Sequence, residues 1–324
     1  MDNLSQDSTK RELPFNNLYL LSGLVTGYNA FWMYSFTILL LMVGYLGFGS
    51  ILTMPLVSRA LESGYTIQQL GADSSLLFNS EIVNLDRNFI LLTQFGLFVF
   101  AAIGFLIGLK YIHKKTITSI LTGFQKFRFK RFWFGFFVWA ALLVIVVLAQ
   151  YIFNTGSLTI NFNVSGFLIS LLLMLVFMPI QTGIEEVIFR GYLIQGLSQV
   201  FKNGIFPLVI TSILFGLAHM SNPEVAAYGW PIMLTYFVAF ALFMGSLTLL
   251  DEGLELAFGI HFANNLISSV LINEPNSVIK TYSVFEAKTS NPYAEIVLWF
   301  CMALITFAIF WLKYRWTNFK LILK

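Results

Sequence analysis

Charged residues are scarce in this 324-residue chain, in which Asp, Glu, Lys and Arg together make up 11% of the positions. A soluble domain carries roughly 25% charged residues, so this chain has too few of them to cover a globule with a solvated surface. Long stretches carry no charge at all, notably 13–58, 88–109 and 132–184. Apolar runs of about 20 residues are the length that a helix needs to cross the hydrocarbon core of a bilayer. The sequence therefore predicts an all-α polytopic membrane protein.

The chain also has a single cysteine, a small net charge and no strand-like pattern. The single cysteine, Cys301, excludes an intramolecular disulfide framework and a cysteine-based zinc cluster. The formal net charge of +3 is too small to favour a nucleic-acid partner. The chain has neither the period-2 alternation of a transmembrane barrel nor an internal repeat that would support an inverted-repeat transporter fold.

What the chain does contain is a series of apolar segments separated by polar breaks. Eight spanning helices are predicted, near 30–54, 88–112, 132–153, 165–198, 204–220, 231–250, 254–272 and 294–314. They divide the chain into four parts: a tail (1–29), helices one to three with a basic loop at 110–131 (30–160), a core (161–272), and an outer loop, last helix and basic tail (273–324).

The positive charges predict how these helices run through the membrane. The loop at 110–131 contains seven lysines and arginines and no acid. Basic residues also precede the first span, at Lys10 and Arg11, and follow the last, from Lys313 to Lys324. Because Lys and Arg favour the cytoplasmic side, both termini and this loop are predicted to be cytoplasmic.

Two further expectations concern the basic loop itself. Ile117, Ile120, Leu121 and Phe124 fall at helical spacing beside the basic residues, which predicts a short amphipathic helix lying on the anionic inner leaflet. His113 stands among lysines at the end of the second span, where we expect it to be solvated.

Seven polar or motif-forming residues draw attention within the apolar spans. They are Glu185, Glu186 and Arg190 in the fourth span, Phe215 and His219 in the fifth, and His261 and Asn265 in the seventh. Ionisable residues inside spanning helices are expensive and indicate function by default. Glu186 and Arg190 are four residues apart, so they share a helix face and can pair. Glu185 is then left without a partner in its own segment.

Counting along the helices predicts that these groups meet. The two acids and His219 are each about 16 residues from the turn at 202–203, so an antiparallel helical pair would place them at one depth. Pro179 is expected to kink or locally unwind the fourth span just before the acids. We therefore expect an intramembrane cavity that opens on the cytoplasmic side and is lined by the fourth, fifth and seventh spans.

A carboxylate, two imidazoles and a carboxamide in a dry cavity are suited to hydrolysis. An unpaired buried carboxylate can take a proton from water, and imidazole and amide N–H groups can stabilise an oxyanion. No Ser or Cys nucleophile with a neighbouring base is visible. Two histidines with one or two glutamates could also bind zinc, although the His-Glu-x-x-His spacing is absent. No cofactor is favoured, and zinc is the alternative that these residues allow.

The same residues resemble the signatures of the CAAX protease and bacteriocin-processing family (CPBP, also called Abi), intramembrane proteases related to the type II CAAX prenyl endopeptidase. The signatures read Glu185-Glu186-x-x-x-Arg190, Phe215-x-x-x-His219 and His261-x-x-x-Asn265, in order and without departure. The resemblance covers about 165–272, and it makes the core at 161–272 the expected catalytic part of the chain. It also implies a bacterial plasma membrane as the expected location.

The resemblance implies a role for each residue. Glu185 is expected to be the general base and, with His219, to hold the attacking water. His261 and Asn265 are expected to form the oxyanion site. The remaining motif residues are expected to be supporting: Glu186, Arg190 and Phe215.

The predicted function is an intramembrane endopeptidase acting on a membrane-associated protein or peptide, with the lipid bilayer as its surroundings. The sequence carries no signal for an oligomeric state. Three alternatives stay open: a zinc-dependent metalloprotease that uses the same residues, a non-catalytic bacteriocin-immunity scaffold, and a proton-coupled transporter.

Overall fold

Helices occupy all eight segments that the sequence predicts to be spanning, and the all-α polytopic fold class is confirmed. The computed structural model describes residues 16–154, 156–288 and 291–321. Lys10, Arg11 and Lys324 lie outside the described residues, as does most of the predicted tail at 1–29. The cytoplasmic location of both termini therefore stays a prediction.

The helices and strands are numbered here in chain order. They are α1 (Leu18–Val25), α2 (Phe31–Glu62), α3 (Ile67–Ala72), α4 (Ser80–Val83), α5 (Arg87–Ile112), α6 (Ile117–Leu121), α7 (Phe129–Phe153), β1 (Leu158–Ile160), α8 (Val164–Phe201), α9 (Ile205–Ala218), α10 (Pro223–Tyr228), α11 (Trp230–Asp251), α12 (Glu255–Leu271), β2 (Ile272–Asn273), β3 (Phe285–Ala287) and α13 (Pro292–Tyr314). Short 3-10 turns lie at Ser74–Phe78 and Phe319–Leu321.

Six of the described helices are long and apolar enough to cross a bilayer, judged by length and composition: α2, α5, α7, α8, α11 and α13. The other two predicted spans are shorter, since α9 has 14 residues and α12 has 17. The number of eight crossings therefore stays a prediction. α12 is buried along much of its length by neighbouring helices, so it needs little lipid-facing apolar surface of its own.

Helix α12 packs against both α7 and α8. Gly259 on α12 lies against the backbone of Phe132 on α7, and Gly135 on α7 lies against the backbone of Leu256 on α12, with no room for a Cβ at either glycine. Small residues allow helices to approach closely inside a bilayer, where lipid gives apolar side chains little reason to associate. This contact fixes the helix that carries His261.

A three-stranded sheet joins the helix ends that lie away from the basic loop. β3 pairs antiparallel with β1 and parallel with β2. Arg87 at the start of α5 lies 3.2 Å from the carboxylate of Glu286 on β3, and the Tyr282 hydroxyl donates to Asp86 at 2.8 Å. We call this side of the molecule the opposite face, and the side of the loop at 110–131 the basic face.

Part of the basic loop packs into the protein. Its helix, α6, has only five residues, and Ile120 within it is fully buried. Ile117 and Phe124 are exposed, so the contact of this short helix with the inner leaflet stays a prediction. The loop covers α8 where Ile120 lies against Gly191.

His113 and Lys115 are buried together beneath the same loop. His113 bonds through Nδ1 to the carbonyl of Tyr28 and through Nε2 to the hydroxyl of Tyr192, each at 2.7 Å. The expectation that His113 is solvated is therefore wrong. The Lys115 ammonium donates to the carbonyl of Gly23 at 2.7 Å, and burial lowers the pKa of Lys115 to about 8.

A group of charges joins the basic loop to the turn between α11 and α12. We call it the bracing cluster, and it consists of Arg128, Arg131, Asp251 and Glu255. The Arg128 guanidinium lies 2.7 Å from Glu255 and 2.9 Å from Asp251, and Arg131 pairs with Asp251 as well. Both carboxylates are almost fully buried, so the cluster fixes the start of α12 to the basic loop.

Candidate active site

Helix α8 carries both glutamates directly before a change in its helical geometry. The helix continues through Pro179, so the predicted local unwinding at the proline does not occur. A π-helical turn instead occupies Val187–Leu193, immediately after Glu186. Such a turn interrupts the regular i to i+4 bonding of the backbone and is frequent at functional sites. Here the hydroxyl of Tyr19 on α1 lies 3.2 Å from the carbonyl oxygen of Arg190.

Glu186 is fully buried and makes two short contacts. Its Oε1 accepts a hydrogen bond from Nδ1 of His261 at 2.7 Å and lies 3.1 Å from Nη1 of Arg190. The predicted pairing of Glu186 with Arg190 is therefore present. Because a carboxylate can only accept, Nδ1 of His261 carries the proton. Nε2 of His261 is directed toward Glu185 and lies 3.6 Å from its Oε2.

His219 stands at the end of α9, with its ring between two aromatic rings. Its Nδ1 donates to the carbonyl of Phe215 at 2.8 Å, which leaves Nε2 for a ligand in the cavity that His219 lines. The ring centroids of Phe215 and Phe237 lie 4.2 Å and 5.0 Å from that of His219. Phe215 also lies 4.1 Å from the guanidinium of Arg190, so it separates the buried cation from the imidazole.

A chain of amides that the sequence analysis missed holds Glu185 and Asn265. Gln181 donates from Nε2 to Oε1 of Glu185 at 2.6 Å, and its Oε1 accepts from Asn265 at 3.2 Å. Asn264 donates to Asn265, and Trp139 donates to Asn264, each at 3.1 Å. Gln181 stands four residues before Glu185, on the same helix face, and this spacing was the signal that could have identified it.

These side chains line one end of a cavity of about 1160 Å³. All four residues predicted to be catalytic lie on its wall: Glu185, His219, His261 and Asn265. Gln181, Asn264 and Phe215 line the same end. Glu186 and Arg190 lie behind this wall, fully or almost fully buried. The structure thus brings together the groups that the sequence predicts to meet, and it separates those that touch the cavity from those that hold them.

The cavity extends from this end to the opposite face. Its far end is bordered by residues within 74–79, 221–224 and 274–280, all in connections on that face. Within the described part of the chain, no residue of the loop at 110–131 lines it. The predicted opening on the side of the basic loop is therefore wrong, because α1 and that loop close the basic face over α8.

The arrangement does not form a zinc site. In the described ranges, no three His, Cys, Asp or Glu side chains are grouped so that they could hold a metal ion. Glu185 is bonded to Gln181, and Glu186 to His261, whereas a catalytic zinc takes three protein ligands and an open position. These contacts do not fit the metal.

Comparison with known proteins gives the class. The sequence model of the type II CAAX prenyl endopeptidase Rce1-like family matches residues 164–267, the stretch that holds all seven motif residues. The uncharacterized protein YyaK of Bacillus subtilis (strain 168) is 31% identical over 204 residues, which are 61% of this chain and 67% of the relative. No solved structure gives a significant match. The chain belongs to the type II CAAX prenyl endopeptidase Rce1-like family.

Family membership confirms the resemblance that the motifs indicated. The family is one of peptidases, which supports a peptidase activity in general terms. Together with the apolar helices, it supports an integral membrane protein whose substrate is a membrane-embedded protein or peptide.

Proposed function

We propose that the protein is an intramembrane endopeptidase in which Glu185 activates a water molecule for attack on a peptide bond. One observation carries the proposal: Glu185, His219 and the Nε2 side of His261 border one cavity, although they come from three separate helices. Glu185 is 12% exposed, enough to reach a water in the cavity, while most of its surface is withdrawn from bulk solvent.

The first step assigns a base and a water site. Glu185 takes a proton from water, and the resulting hydroxide attacks the carbonyl carbon of the substrate. Nε2 of His219 accepts a hydrogen bond from the same water and fixes its direction, because Nδ1 is already committed to Phe215. Glu185 then returns the proton to the leaving amine as the C–N bond breaks.

The second step concerns the oxyanion of the tetrahedral intermediate. Asn265 presents amide N–H groups beside Nε2 of His261, at 3.5 Å. Glu186 binds Nδ1 of His261 at 2.7 Å and so orients Nε2 toward the point that the Asn265 amide faces. Nε2 of His261 and the amide of Asn265 then face the oxyanion together, and N–H donation to it is strongest in a site with little water.

The remaining residues hold this arrangement in place. Gln181 orients Glu185 and Asn265 together. Arg190 partly balances the charge of Glu186 within the buried wall. Phe215 supports the ring of His219 and covers Arg190. A carboxylate, an imidazole pair and a carboxamide held this way serve hydrolysis better than ion transport, because they converge on one point.

The test compares the wild-type protein with Glu185→Gln in lipid vesicles, using a mixture of quenched fluorescent peptides and mass spectrometry of the products. Loss of a general base lowers the rate by about 10²- to 10⁴-fold, so we expect cleavage by Glu185→Gln to fall by at least that lower factor. The matched control is Glu62→Gln, an exposed carboxylate on α2 outside the cavity, which should cleave as the wild type does.

A strong chelator and added zinc form the second arm of this test. The proposal expects cleavage to persist in the chelator. Activity that the chelator abolishes and zinc restores would replace the glutamate mechanism with a metal-dependent one. Full activity in Glu185→Gln, with unchanged thermal unfolding, would remove Glu185 from the reaction.

A further inference from the structure

The cavity has its polar mouth on the opposite face, far from the basic loop. Ser74, Ser221 and Pro275 border it there and are exposed. On the other side, Tyr19 of α1 and Ile120 of α6 are fully buried over α8. A substrate can therefore reach Glu185 through the mouth or through gaps between helices, and not through the basic face.

Three carboxylates line this mouth from three different elements. Glu224 belongs to α10, Glu274 to the segment after β2, and Glu295 to the first turn of α13. Among the described residues, no basic side chain lies within 4.0 Å of any of the three, although Lys280 lines the same region. The Lys280 ammonium is directed to the carbonyl of Pro275 instead. At the mouth, three carboxylates thus face one lysine among the described residues that line it.

Buried polar atoms without partners mark the same wall. The indole nitrogen of Trp299 has no hydrogen-bond partner within the described chain, although Trp299 is only 6% exposed and lines the cavity. Oε1 of Glu224 accepts a hydrogen bond from the backbone N–H of Val278 at 3.2 Å, and its Oε2 is buried and unpaired. Buried donors and acceptors are nearly always satisfied in native proteins. The unpaired N–H of Trp299 can donate to a peptide carbonyl, and the unpaired oxygen of Glu224 can bind a cation. A peptide with a basic side chain offers both groups.

We propose that the substrate of this site is a peptide segment bearing lysine or arginine, which enters through the mouth formed by Glu224, Glu274 and Glu295. The inference rests on the proposed peptidase function, and it adds the substrate class and the side of approach. The carboxylates bind the basic side chain, Trp299 donates to a peptide carbonyl, and the chain continues along the cavity toward Glu185. Because lysine and arginine favour the cytoplasmic side, the basic face is predicted to be cytoplasmic and the mouth to face outward.

Binding can be measured separately from cleavage. In Glu185→Gln protein reconstituted in lipid vesicles, fluorescence anisotropy is followed with a short lysine-containing peptide and with its glutamate-containing counterpart of equal length. We expect the lysine peptide to bind at least tenfold more tightly, a typical scale for close charge complementarity at a binding site. Adding Glu274→Gln and Glu295→Gln should reduce this ratio severalfold, whereas the control Glu62→Gln should retain it.

The side of approach has its own measurement. In a Cys301→Ser background, a membrane-impermeant thiol reagent is applied to intact cells that carry Ser74→Cys at the mouth or Lys126→Cys on the basic loop. We expect the first to be labelled and the second to be labelled only after the cells are permeabilised. The reverse pattern would overturn the outward-facing mouth.

The outcomes separate this inference from the proposed function. Equal binding of the two peptides, or a preference that survives Glu274→Gln with Glu295→Gln, would overturn the substrate class even if the protein cleaves peptides. Preferential binding of the lysine peptide without cleavage by the wild type would support the mouth and contradict the peptidase proposal.

Discussion

Two buried groups of charges in this protein use the same chemistry for different ends. In the bracing cluster, Asp251 and Glu255 are each in contact with arginine. Around the π-helical turn, Glu186 pairs with Arg190, and the imidazole of His261 lies near both Glu186 and Glu185. The first group has no acid left over, whereas the second leaves one carboxylate facing a cavity. Burial of charge alone is therefore a poor marker of function, and an unbalanced acid on a cavity wall is a better one.

Glu186→Gln should have the largest combined effect on stability and on peptide cleavage. Glu186 is a partner in a buried ion pair with Arg190, and it also contacts His261 on the cavity wall. Removing one partner of a buried ion pair typically costs about 3 to 5 kcal/mol, so thermal unfolding in detergent should shift strongly. His261 would also lose the carboxylate that orients its ring. We expect peptide cleavage by the remaining folded protein to fall by about 10²-fold or more. Cleavage at the wild-type rate per folded molecule would show that Glu186 only stabilises.

Glu255→Gln makes the corresponding change in the bracing cluster. It removes a fully buried carboxylate from Arg128, with an expected loss of about 3 kcal/mol or more in the free energy of unfolding. Since the bracing cluster lies outside the cavity, kcat per folded molecule should stay at the wild-type value. Unfolding followed by tryptophan fluorescence, with cleavage normalised to folded protein, measures both. A specific loss of kcat would erase the distinction between the two clusters.

Gln181→Leu should have a smaller effect that falls on catalysis. The substitution keeps the approximate volume but removes the donor to Glu185 and the acceptor for Asn265. We expect kcat to fall by roughly tenfold, on the scale of a lost hydrogen bond to a charged group, with little change in KM. Gln181→Glu, which keeps the acceptor and adds a second charge, should shift the pH profile as well. A change confined to unfolding temperature would leave Gln181 with a structural role only.

The carboxylates at the mouth are a third arrangement, with acids but no close cation. Burial, followed by the nearby charges of Glu295 and Glu224, raises the pKa of Glu274 to about 7. Glu274 is then neutral below that pH and charged above it, with Lys280 as the basic group in the same region. Binding of the lysine peptide to Glu185→Gln should strengthen severalfold between pH about 6 and about 8, and Glu274→Gln should flatten this change. A pH-independent affinity would contradict the assigned role of Glu274.

The raised pKa of Glu274 also predicts how stability depends on pH. Stability should fall as pH rises, whereas binding of the lysine peptide should strengthen. A group that binds protons more tightly when folded stabilises the protein most below its unfolded pKa, and this contribution is lost as pH rises through about 7. Glu274→Gln should therefore reduce the dependence of unfolding temperature on pH in that window, relative to the wild type.

Sequence patterns were sufficient for the features that depend on local spacing. Apolar runs located the eight helices to within a few residues at most ends. The spacings from Glu186 to Arg190 and from His261 to Asn265 indicated which side chains share a face. Features set by packing between distant segments were missed. The burial of His113 depends on Tyr192, which is 79 residues away, and no pattern near His113 shows that contact.

The direction of the cavity was mispredicted for a related reason. Counting residues from the turn at 202–203 gave the depth of Glu185 and His219, but depth does not tell which end is closed. Closure is due to α1 and to α6, neither of which is long enough to stand out in a hydropathy profile. The π-helical turn at Val187–Leu193 was likewise invisible, because its carbonyl at Arg190 is approached by Tyr19 from a segment 171 residues earlier.

The shortness of α9 has a consequence for the supply of water. Its 14 residues rise about 21 Å, roughly 9 Å less than the thickness of a hydrocarbon core. If α9 starts at the basic boundary, its last turn ends inside the membrane, and the residues at 219–222, between α9 and α10, are non-helical. Such backbone is tolerated only where protein or a wet cavity surrounds it. With α9 placed in this way, a wet cavity at this point would let a scissile bond meet water without leaving the plane of the lipids.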